Sequence, residues 1–385
     1  MKTLLSVFSS EIFGGPHNEF CKLAQNFQDE GLILVAILPK ENKKTRARLE
    51  EADIEVKIVS SRRLKLSLLE SIKYVACLPV SISKLSHVIE EIKPDVLQLF
   101  NFANLEIIWI ARKKKIPSIW KIVDSRMPSF LGKKLVSLHK KRVTKILTTG
   151  ESLGSIHYGL KLKDSWSYYY PFFKVKNDSN SRSRDDIRAI LGIPSSHFVI
   201  GMLANFNPQK RHSVLIDAFS EVFESTDNFK LIIRGDINNN PSYFKKIEKT
   251  LDSKGLDLNT ASELEFEVSP SEFIEALDMH IVVSGKNSEG FPNTVVEAFS
   301  SGTFNVSTDV GSVPDLLSNF ENGILLSRTF TKHQLVNLFR LIKVKRINTQ
   351  LLSSKKFKSS EFEIRAEENV ANHLESIKYA LSVPR

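Results

Sequence analysis

The sequence predicts an α/β protein of two doubly wound, Rossmann-like domains, and three observations support this prediction. First, 385 residues are too many for one ordinary hydrophobic core. Second, short apolar runs of strand type alternate with amphipathic helical runs, as is typical of parallel βαβ units. Third, an aromatic and then polar stretch over residues 159–185 interrupts the alternation, which resumes after it. We therefore expect a first domain over residues 1–173 and a second over 174–361.

The first domain begins with the apolar run Thr3–Phe8, which polar residues follow directly. This run predicts a first β-strand rather than a signal peptide. Residues His17–Glu30 have apolar side chains at helical spacing and predict the first helix. Further strands of this domain are expected at Ile33–Leu38, Glu55–Val59, Asp95–Phe100, Ser118–Val123 and Lys145–Thr149.

The second domain repeats the alternation after the polar connector Lys174–Asp185. The last stretch of the chain, 362–382, is helical in pattern. Strands of the second domain are expected near Val199–Leu203, Lys230–Arg234, Glu263–Phe266, His280–Val283 and Asn305–Ser307.

Composition favours a soluble globular protein, because 42% hydrophobic and 25% charged residues are ordinary for that class. We find no run of about 18 apolar residues and expect no segment that spans a bilayer. Cys21 and Cys77 have no metal-ligand spacing and lie in apolar sequence. They are therefore interpreted as buried thiols in a reducing cytosol.

The net charge of +10 is concentrated in part over residues 131–147, which carry six basic residues and no acid. Leu131, Leu135 and Leu138 lie there at helical spacing, so the segment is in part a basic amphipathic helix. A solvated face and docking to an anionic membrane are both consistent with it. Nucleic acid is a weaker explanation of the charge, since no motif of a nucleic-acid-binding protein accompanies it.

Residues 289–302 are the most informative segment. Asn293 suits the N-cap of a helix and Gly302 its C′ position, so the helix N-terminus opens beside Gly290. Such a terminus binds phosphate. Glu289 on the preceding loop and Glu297 one turn inside the helix can accept bonds from hydroxyl groups. A site for phosphate and several hydroxyls suits a nucleotide sugar.

The segment Ser-Glu-Gly-Phe-Pro-Asn-Thr-Val-Val-Glu-Ala, with Ser301-Gly302 and Thr308–Asp315 after it, resembles the signature of retaining GT-B glycosyltransferases of the group 1 (family 4) type. The resemblance implies two domains that face one another across a cleft. The first would bind the acceptor, with helix 362–382 packed back on it, and the second would bind the nucleotide sugar. The alternative is a capped amphipathic helix in an unrelated α/β protein.

The resemblance also implies roles for residues of the second domain. Glu297 would bind the ribose hydroxyls and Glu289 the hydroxyls of the transferred sugar. Lys210, with Gly15 of the first domain, would stabilise the leaving diphosphate. The donor site would be completed by Gly290, Phe291, Pro292, Asn293 and Thr294, whose backbone N–H groups support phosphate and sugar.

The surroundings of Lys210 depart from the family pattern in one respect. Asn207 and Pro208 suit the N-cap and first position of the next helix, which places Lys210 in its first turn. The family usually has an arginine five residues before this lysine, and the chain has Asn205 there. Arg211 is a candidate to replace the missing charge, in a direction that the sequence leaves open.

The first βα turn contains Gly14 and Gly15, which resemble the glycine-rich loop that contacts donor phosphate and acceptor in this family. A tight structural turn would require the same residues. At the end of the strand Ser118–Val123, the family commonly has a histidine where this chain has Val123. Asp124 and Asn101 remain as polar candidates on the acceptor side, although Asp124 is equally suited to cap the next helix.

Arg234 closes a predicted strand and would touch the donor base or phosphate, or else belong to an ordinary turn. No paired aspartates of the metal-binding kind accompany the site. We therefore expect no metal and no cofactor beyond the nucleotide-diphosphate sugar itself, since a lysine and a helix dipole neutralise the diphosphate.

These observations predict a retaining, metal-independent glycosyltransferase that extends a glycan or lipid-linked saccharide in cell-surface polysaccharide or lipopolysaccharide synthesis. We expect a cytoplasmic protein, attached peripherally to an anionic membrane on its inner face, without a nucleic-acid partner. The alternative is a catalytically weak relative that binds nucleotide or glycan as an interaction protein, for which Asn205 and Val123 are the support. A sugar-nucleotide epimerase is a third hypothesis, although its expected histidines and acids are not found.

Overall fold

The computed structural model describes residues 1–11, 13–64, 67–161, 164–172, 182–237, 240–256, 268–285, 289–317, 323–345 and 359–383. The chain divides into two compact units. The first is formed by Met1–Phe173 together with Arg365–Arg385, and the second by Lys174–Ile364. Each unit has a parallel sheet with helices on both faces, so the predicted α/β class with two doubly wound sheets is confirmed.

The first unit contains a seven-stranded parallel sheet in the order β3-β2-β1-β4-β5-β6-β7. Its apolar strands are buried on both faces, as expected when helices cover both sides of a parallel sheet. The strands are β1 (Lys2–Val7), β2 (Leu32–Leu38), β3 (Glu55–Ile58), β4 (Val96–Phe100), β5 (Ser118–Ile122), β6 (Lys145–Thr149) and β7 (Trp166–Tyr169).

Helices cover the two faces of this sheet as separate layers with separate cores. On one face lie α1 (Gly15–Asp29), α2 (Lys43–Glu51) and the C-terminal helix, and on the other lie α3 (Leu68–Ile92), α4 (Glu106–Lys113), α5 (Ser129–His139) and a π-helical turn (Leu153–His157).

The C-terminal helix, α13 (Ser359–Ser382), packs against the first unit. Ile377 and Ala380 join the apolar core that α1 forms on the sheet. Asn369 donates from Nδ2 to the carbonyl of Phe172 over 2.7 Å. The end of the chain is therefore part of the domain in which the chain begins.

A buried polar cluster joins α13 to the sheet of the first unit. Lys121 of β5 forms an ion pair with Glu19 of α1 and also contacts His373 Nε2 over 2.8 Å. The hydroxyl of Tyr169 donates to Glu19 over 2.9 Å. Burial alone would raise the pKa of Glu19, but Lys121 and His373 outweigh it and lower that pKa to about 2. The cluster therefore holds a carboxylate in a dry interior.

The described residues of the second unit form a five-stranded parallel sheet in the order β12-β11-β10-β8-β9. Its strands are β8 (Phe198–Leu203), β9 (Phe229–Arg234), β10 (Met279–Val282), β11 (Phe304–Thr308) and β12 (Gly323–Leu326), and its helices are α6 (Arg184–Ile190), α7 (His212–Val222), α8 (Pro241–Ser253), α9 (Pro270–Glu275), α10 (Asn293–Ser301), α11 (Val313–Leu317) and α12 (Lys332–Lys345).

The predicted strands agree with the observed ones to within one or two residues wherever both are described. The strand predicted at Glu263–Phe266 lies outside the described residues. Strand β12 and the 25-residue helix α3 had no counterpart in the prediction. The two cysteines that we expected to be buried are half-buried.

The predicted basic helix is confined to the first half of the segment 131–147. Helix α5 ends at His139, and β6 begins at Lys145. Leu131 and Leu135 pack against the core of the first unit, whereas Leu138 is exposed. The leucines at helical spacing therefore belong mostly to the folded interior rather than to a membrane face.

The expectation that no segment spans a bilayer can be compared with the helices of the structure. Among the described residues, α3 alone has the length and mean hydropathy of a membrane span. Serine, lysine and glutamate residues divide its apolar side chains, so no continuous apolar run is visible in the sequence. However, Tyr74, Leu85 and Ile89 are buried in the first unit, so one side of α3 packs on the sheet.

Candidate functional site

In the second unit, Lys210 and Glu289 form an ion pair that is half-buried, with 18% and 16% of the two side chains exposed. Ser284 donates from its hydroxyl to the same carboxylate over 3.1 Å. Both residues were predicted for one site, and 79 positions separate them in the sequence. The structure therefore brings the two predicted catalytic residues into direct contact.

Backbone hydrogen bonds hold the two loops that carry this pair. The N–H of Gly285, after β10, donates to the carbonyl of Gln209 over 2.7 Å, directly before Lys210. The N–H of Ser312 donates to the carbonyl of Gly290 over 2.7 Å, directly after Glu289. Gly311 has a φ of 55°, and a Cβ at this position would lie 1.8 Å from the Gly290 oxygen. A glycine is therefore required where the turn after β11 meets the site loop.

Helix α10 follows Glu289 and has the buried face that the sequence predicts, formed by Val295, Val296, Ala298 and Phe299. Gly302 ends it in the left-handed conformation, with a φ of 74°. The predicted N-cap is wrong by one position. Pro292 occupies the cap without a side-chain bond, so Asn293 is the first helical residue.

The N-terminus of α10 is accessible on one side. Gly290, Phe291 and Pro292 are buried, whereas Asn293 and Thr294 are half-buried. The first N–H groups of a helix have no acceptor within it, and the helix dipole is positive there. Glu297, also half-buried, lies one turn further along the same helix. The terminus thus presents donors and partial positive charge beside the Glu289 loop.

The turn that carries Lys210 differs in detail from the prediction. Asn207 and Pro208 are the N-cap and first residue of a short 3₁₀ turn, Pro208–Lys210, as their types predict. This turn ends at Lys210, and α7 begins separately at His212 after Arg211, whose φ is 55°. Lys210 therefore closes a 3₁₀ turn instead of opening a long helix.

The predicted basic neighbours of Lys210 are engaged elsewhere. The Arg211 guanidinium lies 4.5 Å from the ring centre of Phe330, so it stacks on an aromatic ring. Arg234 is buried, and it donates to the carbonyl groups of Val268 and Ser269. Burial lowers the pKa of Arg234 to about 10. The structure thus favours the ordinary strand-end role for Arg234 over a contact with the donor.

Asn205, at the position of the family arginine, is exposed after β8. Gly235, which follows β9, lies against this loop, because a Cβ there would be 2.0 Å from the Ala204 oxygen. Glycine is therefore needed for the close approach of these two strand ends. Gly235 directly follows Arg234, so the sequence places a glycine at this strand end.

In the first unit, Gly14 and Gly15 connect β1 to α1. Gly14 has an extended backbone, with a φ of −159°, which any residue adopts. A Cβ at either glycine would meet no atom within 4 Å. The Gly14 N–H donates to Nδ1 of His17 over 3.1 Å, which fixes the loop. Among the described residues, neither backbone strain nor crowding requires these glycines, which favours the ligand-binding interpretation over a tight structural turn.

Asn101 and Asp124, the other candidates in the first unit, contact one another. They follow the adjacent strands β4 and β5, and Asn101 donates from Nδ2 to Asp124 over 2.8 Å. Asn101 also accepts from the N–H of Val123 over 2.8 Å. Asp124 accepts from the N–H of Arg126 over 3.1 Å. It does not cap α5, whose N-cap is Pro128.

Sequence reasoning missed two partners of this pair. The hydroxyl of Tyr158 donates to the Asp124 carbonyl over 2.7 Å, and the indole N–H of Trp120 donates to the Asn101 carbonyl. Both rings are buried, and nothing in their sequence positions indicates the contact. Over the described ranges, no group of three His, Cys, Asp or Glu side chains converges as a metal site.

Comparisons with known proteins identify a matching family and several similar structures. Residues 183–355 match the family "Glycosyl transferases group 1". No curated protein matches the sequence. The chain is similar in structure to a glycosyltransferase from Rickettsia africae, with a TM-score of 0.76, 16% identity, and 100% of this chain and 99% of that one covered.

Two further solved structures are similar. HepE from Anabaena, in complex with UDP and glucose, has a TM-score of 0.72 and 18% identity over 99% of this chain and 100% of that one. Sucrose-phosphate synthase from Thermosynechococcus elongatus has a TM-score of 0.68 and 12% identity over 99% of each chain. The chain therefore has the GT-B fold, and its residues 183–355 match the family model of the group 1 glycosyl transferases.

Proposed function

We propose that the protein is a retaining, metal-independent glycosyltransferase that moves a sugar from a nucleotide-diphosphate donor to a glycan or lipid-linked saccharide. The observation that carries the proposal is the half-buried Lys210–Glu289 pair on loops held together by backbone bonds, next to the accessible N-terminus of α10. A cation and a helix N-terminus together favour a diphosphate.

The ion pair explains how the site is kept ready before the donor binds. Glu289 neutralises Lys210, so neither charge is left unpaired in a half-buried position. A bound diphosphate would take over Lys210, and Glu289 would be released to accept bonds from sugar hydroxyls. Glu297 would accept from the ribose hydroxyls one turn further along α10. Since solved structures of HepE contain UDP and UDP-glucose, we propose a uridine diphosphate sugar as donor.

Charge neutralisation at the leaving group is weaker here than in the family pattern. Asn205 supplies no charge, and Arg211 is stacked on Phe330. Lys210 and the dipole of α10 would therefore carry most of the stabilisation of the leaving diphosphate. This is consistent with a transferase that uses no metal, and it predicts a strong dependence on Lys210.

On the acceptor side, Gly14, Asn101 and Asp124 would bind the incoming hydroxyl compound, and Gly15 would contact the leaving diphosphate. Val123 stands where the family commonly has histidine, and it offers no proton acceptor. In a retaining mechanism the departing phosphate oxygen can take the acceptor proton, so this chain would need no histidine. We propose a cell-surface polysaccharide or lipopolysaccharide acceptor, extended on the cytoplasmic face of the membrane.

Thermal shift with a panel of nucleotides and nucleotide sugars tests the donor proposal, because a ligand that binds the folded state alone raises the melting temperature. We expect UDP and one UDP-sugar to stabilise the protein. Glu297→Ala should weaken nucleotide binding by about 1.5–3 kcal/mol through loss of a charged acceptor. Unchanged affinity in the folded Glu297→Ala variant would remove that residue from the site.

The second candidate is a catalytically weak relative that binds nucleotide or glycan as an interaction protein. Asn205 and Val123 favour it, because they replace two side chains that the family pattern uses. Donor hydrolysis and transfer assays discriminate the two functions. Nucleotide binding without turnover, with a broad set of saccharide acceptors, would favour this second function.

A further inference from the structure

The first half of α3 exposes an apolar stripe to solvent. Leu68, Leu69, Ile72, Val75 and Val80 are 81%, 60%, 58%, 61% and 57% exposed. Residues three, four and seven apart lie on the same side of a helix, so Leu68, Leu69, Ile72 and Val75 form one row, and Val80 lies five residues beyond it. We refer to these five residues as the α3 stripe.

The second half of the same helix has an ordinary polar surface. Lys84, His87 and Glu90 are exposed there, whereas the opposite side of α3 stays buried along its length at Tyr74 and Leu85. The exposed face thus changes from apolar to polar while the buried face does not change. A contiguous exposed apolar patch of this kind marks an interaction surface.

The α3 stripe lies at the same end of the sheet as the candidate acceptor residues, where the parallel strands have their carboxyl ends. All strands of the first unit are parallel and α3 runs back across them, so its first turns lie at their carboxyl ends. The hydroxyl of Tyr74 donates to Glu106, and the N–H of Leu64 donates to the Ala103 carbonyl over 2.8 Å. The segment before α3 therefore contacts the loop that begins with Asn101, and α3 itself contacts the first residue of α4.

Neighbouring elements of the same layer expose further large apolar side chains. Trp109 on α4, Phe130 at the start of α5 and Ile156 in the π-helical turn are 50%, 79% and 64% exposed. Helices that lie in a membrane interface combine such side chains with lysine and arginine. Besides α3, three further elements of this helix layer therefore expose an apolar side chain that a membrane surface could cover.

The charges around these side chains are mostly positive. Lys133 and Lys134 are exposed on α5, and Asp124 is the only acid between residues 107 and 150 of the sequence. Beside the stripe, Glu70 is neutralised by Arg62 over 3.2 Å and by Lys73 over 2.9 Å. The surface is thus complementary to anionic headgroups.

We propose that the α3 stripe inserts into the headgroup region of an anionic bilayer and docks the first unit there. The inference deepens the proposed use of a membrane-borne acceptor and rests on that proposed function. Lipid is the occupant that these observations favour, because the side chains protrude from several elements of one helix layer and basic residues accompany them. Because α5 ends at His139 and Leu131 and Leu135 pack against the core, the apolar contact with the bilayer is assigned to α3 instead of to the predicted basic helix.

Vesicle flotation with the full chain tests the docking surface. We expect the protein to float with phosphatidylcholine vesicles that contain phosphatidylglycerol, and to bind less at high salt. The triple variant Leu69→Gln, Ile72→Gln, Val75→Gln should bind at least about tenfold more weakly, since each methylene withdrawn from lipid lowers the affinity. The matched control is Leu341→Gln, Val344→Gln, which removes two apolar side chains that are 53% and 82% exposed on α12 of the second unit.

The depth of insertion gives a second measurement. A tryptophan introduced by Ile72→Trp should be quenched by brominated lipid, whereas one introduced by Ser83→Trp in the polar half of α3 should not. Equal quenching of the two, or unchanged flotation of the triple variant, overturns the proposal. The proposal is also overturned if the wild type is a dimer in the absence of lipid and the triple variant is a monomer. The stripe would then contact a second copy of the chain.

Nucleotide binding separates this inference from the proposed function. The triple variant should show the same thermal shift with UDP as the wild type, because its substitutions lie in the first unit and outside the proposed donor site. Lost flotation with retained UDP binding supports the docking surface. A wild type that floats through the stripe but neither binds nor turns over any nucleotide sugar would reject the proposed function and leave the docking surface in place.

Discussion

The two units each contain a lysine–glutamate pair, and the two pairs differ in access to solvent. In the second unit Lys210 and Glu289 are 18% and 16% exposed, on loops at the carboxyl ends of strands. In the first unit Lys121 and Glu19 are 3% and 7% exposed, within the layer between β5, α1 and α13. The Lys210–Glu289 pair can exchange its partner for a ligand, whereas the Lys121–Glu19 pair is closed by the fold.

The comparison shows why pairing alone does not identify a functional charge. The Glu19–Lys121 pair is completed by Tyr169 and His373, so its remaining polar atoms are satisfied by protein groups. The Lys210–Glu289 pair lies beside the open N-terminus of α10. The Glu19–Lys121 pair is thus a closed pair, and the Lys210–Glu289 pair is a rim pair that solvent reaches.

The largest expected effect is on the closed pair. Glu19→Ala should lower the free energy of unfolding of the first unit by about 3–5 kcal/mol, because Lys121 is left charged and unpaired in the interior. Urea denaturation measures it. Glu221→Ala, which removes an exposed pair with Lys332, is the control and should cost about 1 kcal/mol or less. Equal costs for the two variants would remove the distinction between the pairs.

The next effect tests the rim pair. Lys210→Ala should reduce kcat for sugar transfer about 100- to 1000-fold, as expected when one donor to a developing charge is lost. Stability should change little, because the pair is half-exposed. Steady-state kinetics and thermal denaturation of the same preparation check both statements. A variant that loses stability but keeps kcat would place Lys210 with the structural charges.

Acid pH should destabilise both units through buried neutral histidines. Burial lowers the pKa of His17, His212 and His280 to about 4. Each folded-state pKa is below the unfolded value of about 6.5. The unfolded chain therefore takes up protons first, and stability is lost as the pH falls from 6.5 towards 4.

His212 provides the test of this pH dependence. Its ring stacks on Phe206, so His212→Phe should keep the packing and remove one titrating group. The free energy of unfolding should fall less steeply between pH 6.5 and pH 4. Over this range, the total loss of stability should be smaller than in the wild type by an amount on the order of 2 kcal/mol. A slope that stays the same in His212→Phe contradicts the assignment.

The smallest effect concerns the departure at Asn205. Asn205→Arg should strengthen binding of UDP or leave it unchanged, because it adds a cation near an anion at an exposed position. The change should amount to about 1 kcal/mol or less, since solvent screens exposed charges. Calorimetry with UDP measures it. A strong loss of affinity would show that this loop does not face the diphosphate.

Local patterns in the sequence determined the strands, the helix α10 and most of the donor-site candidates. Periodicity of apolar residues reports which side of an element is buried, and turn residues report where it ends. The motif around Glu289 and Glu297 could be interpreted for the same reason, because its parts lie within one loop and one helix. The N-cap of α10 was misplaced by one residue, since several residue types suit that position.

Only the tertiary structure decided which distant residues meet. Contacts such as Lys210 with Glu289, Asn101 with Asp124, and Lys121 with His373 depend on strand order and on helix crossings, which no local pattern specifies. The same holds for the α3 stripe. Its apolar residues predict a buried face by composition, and they are exposed because the sheet is already covered by the other side of that helix.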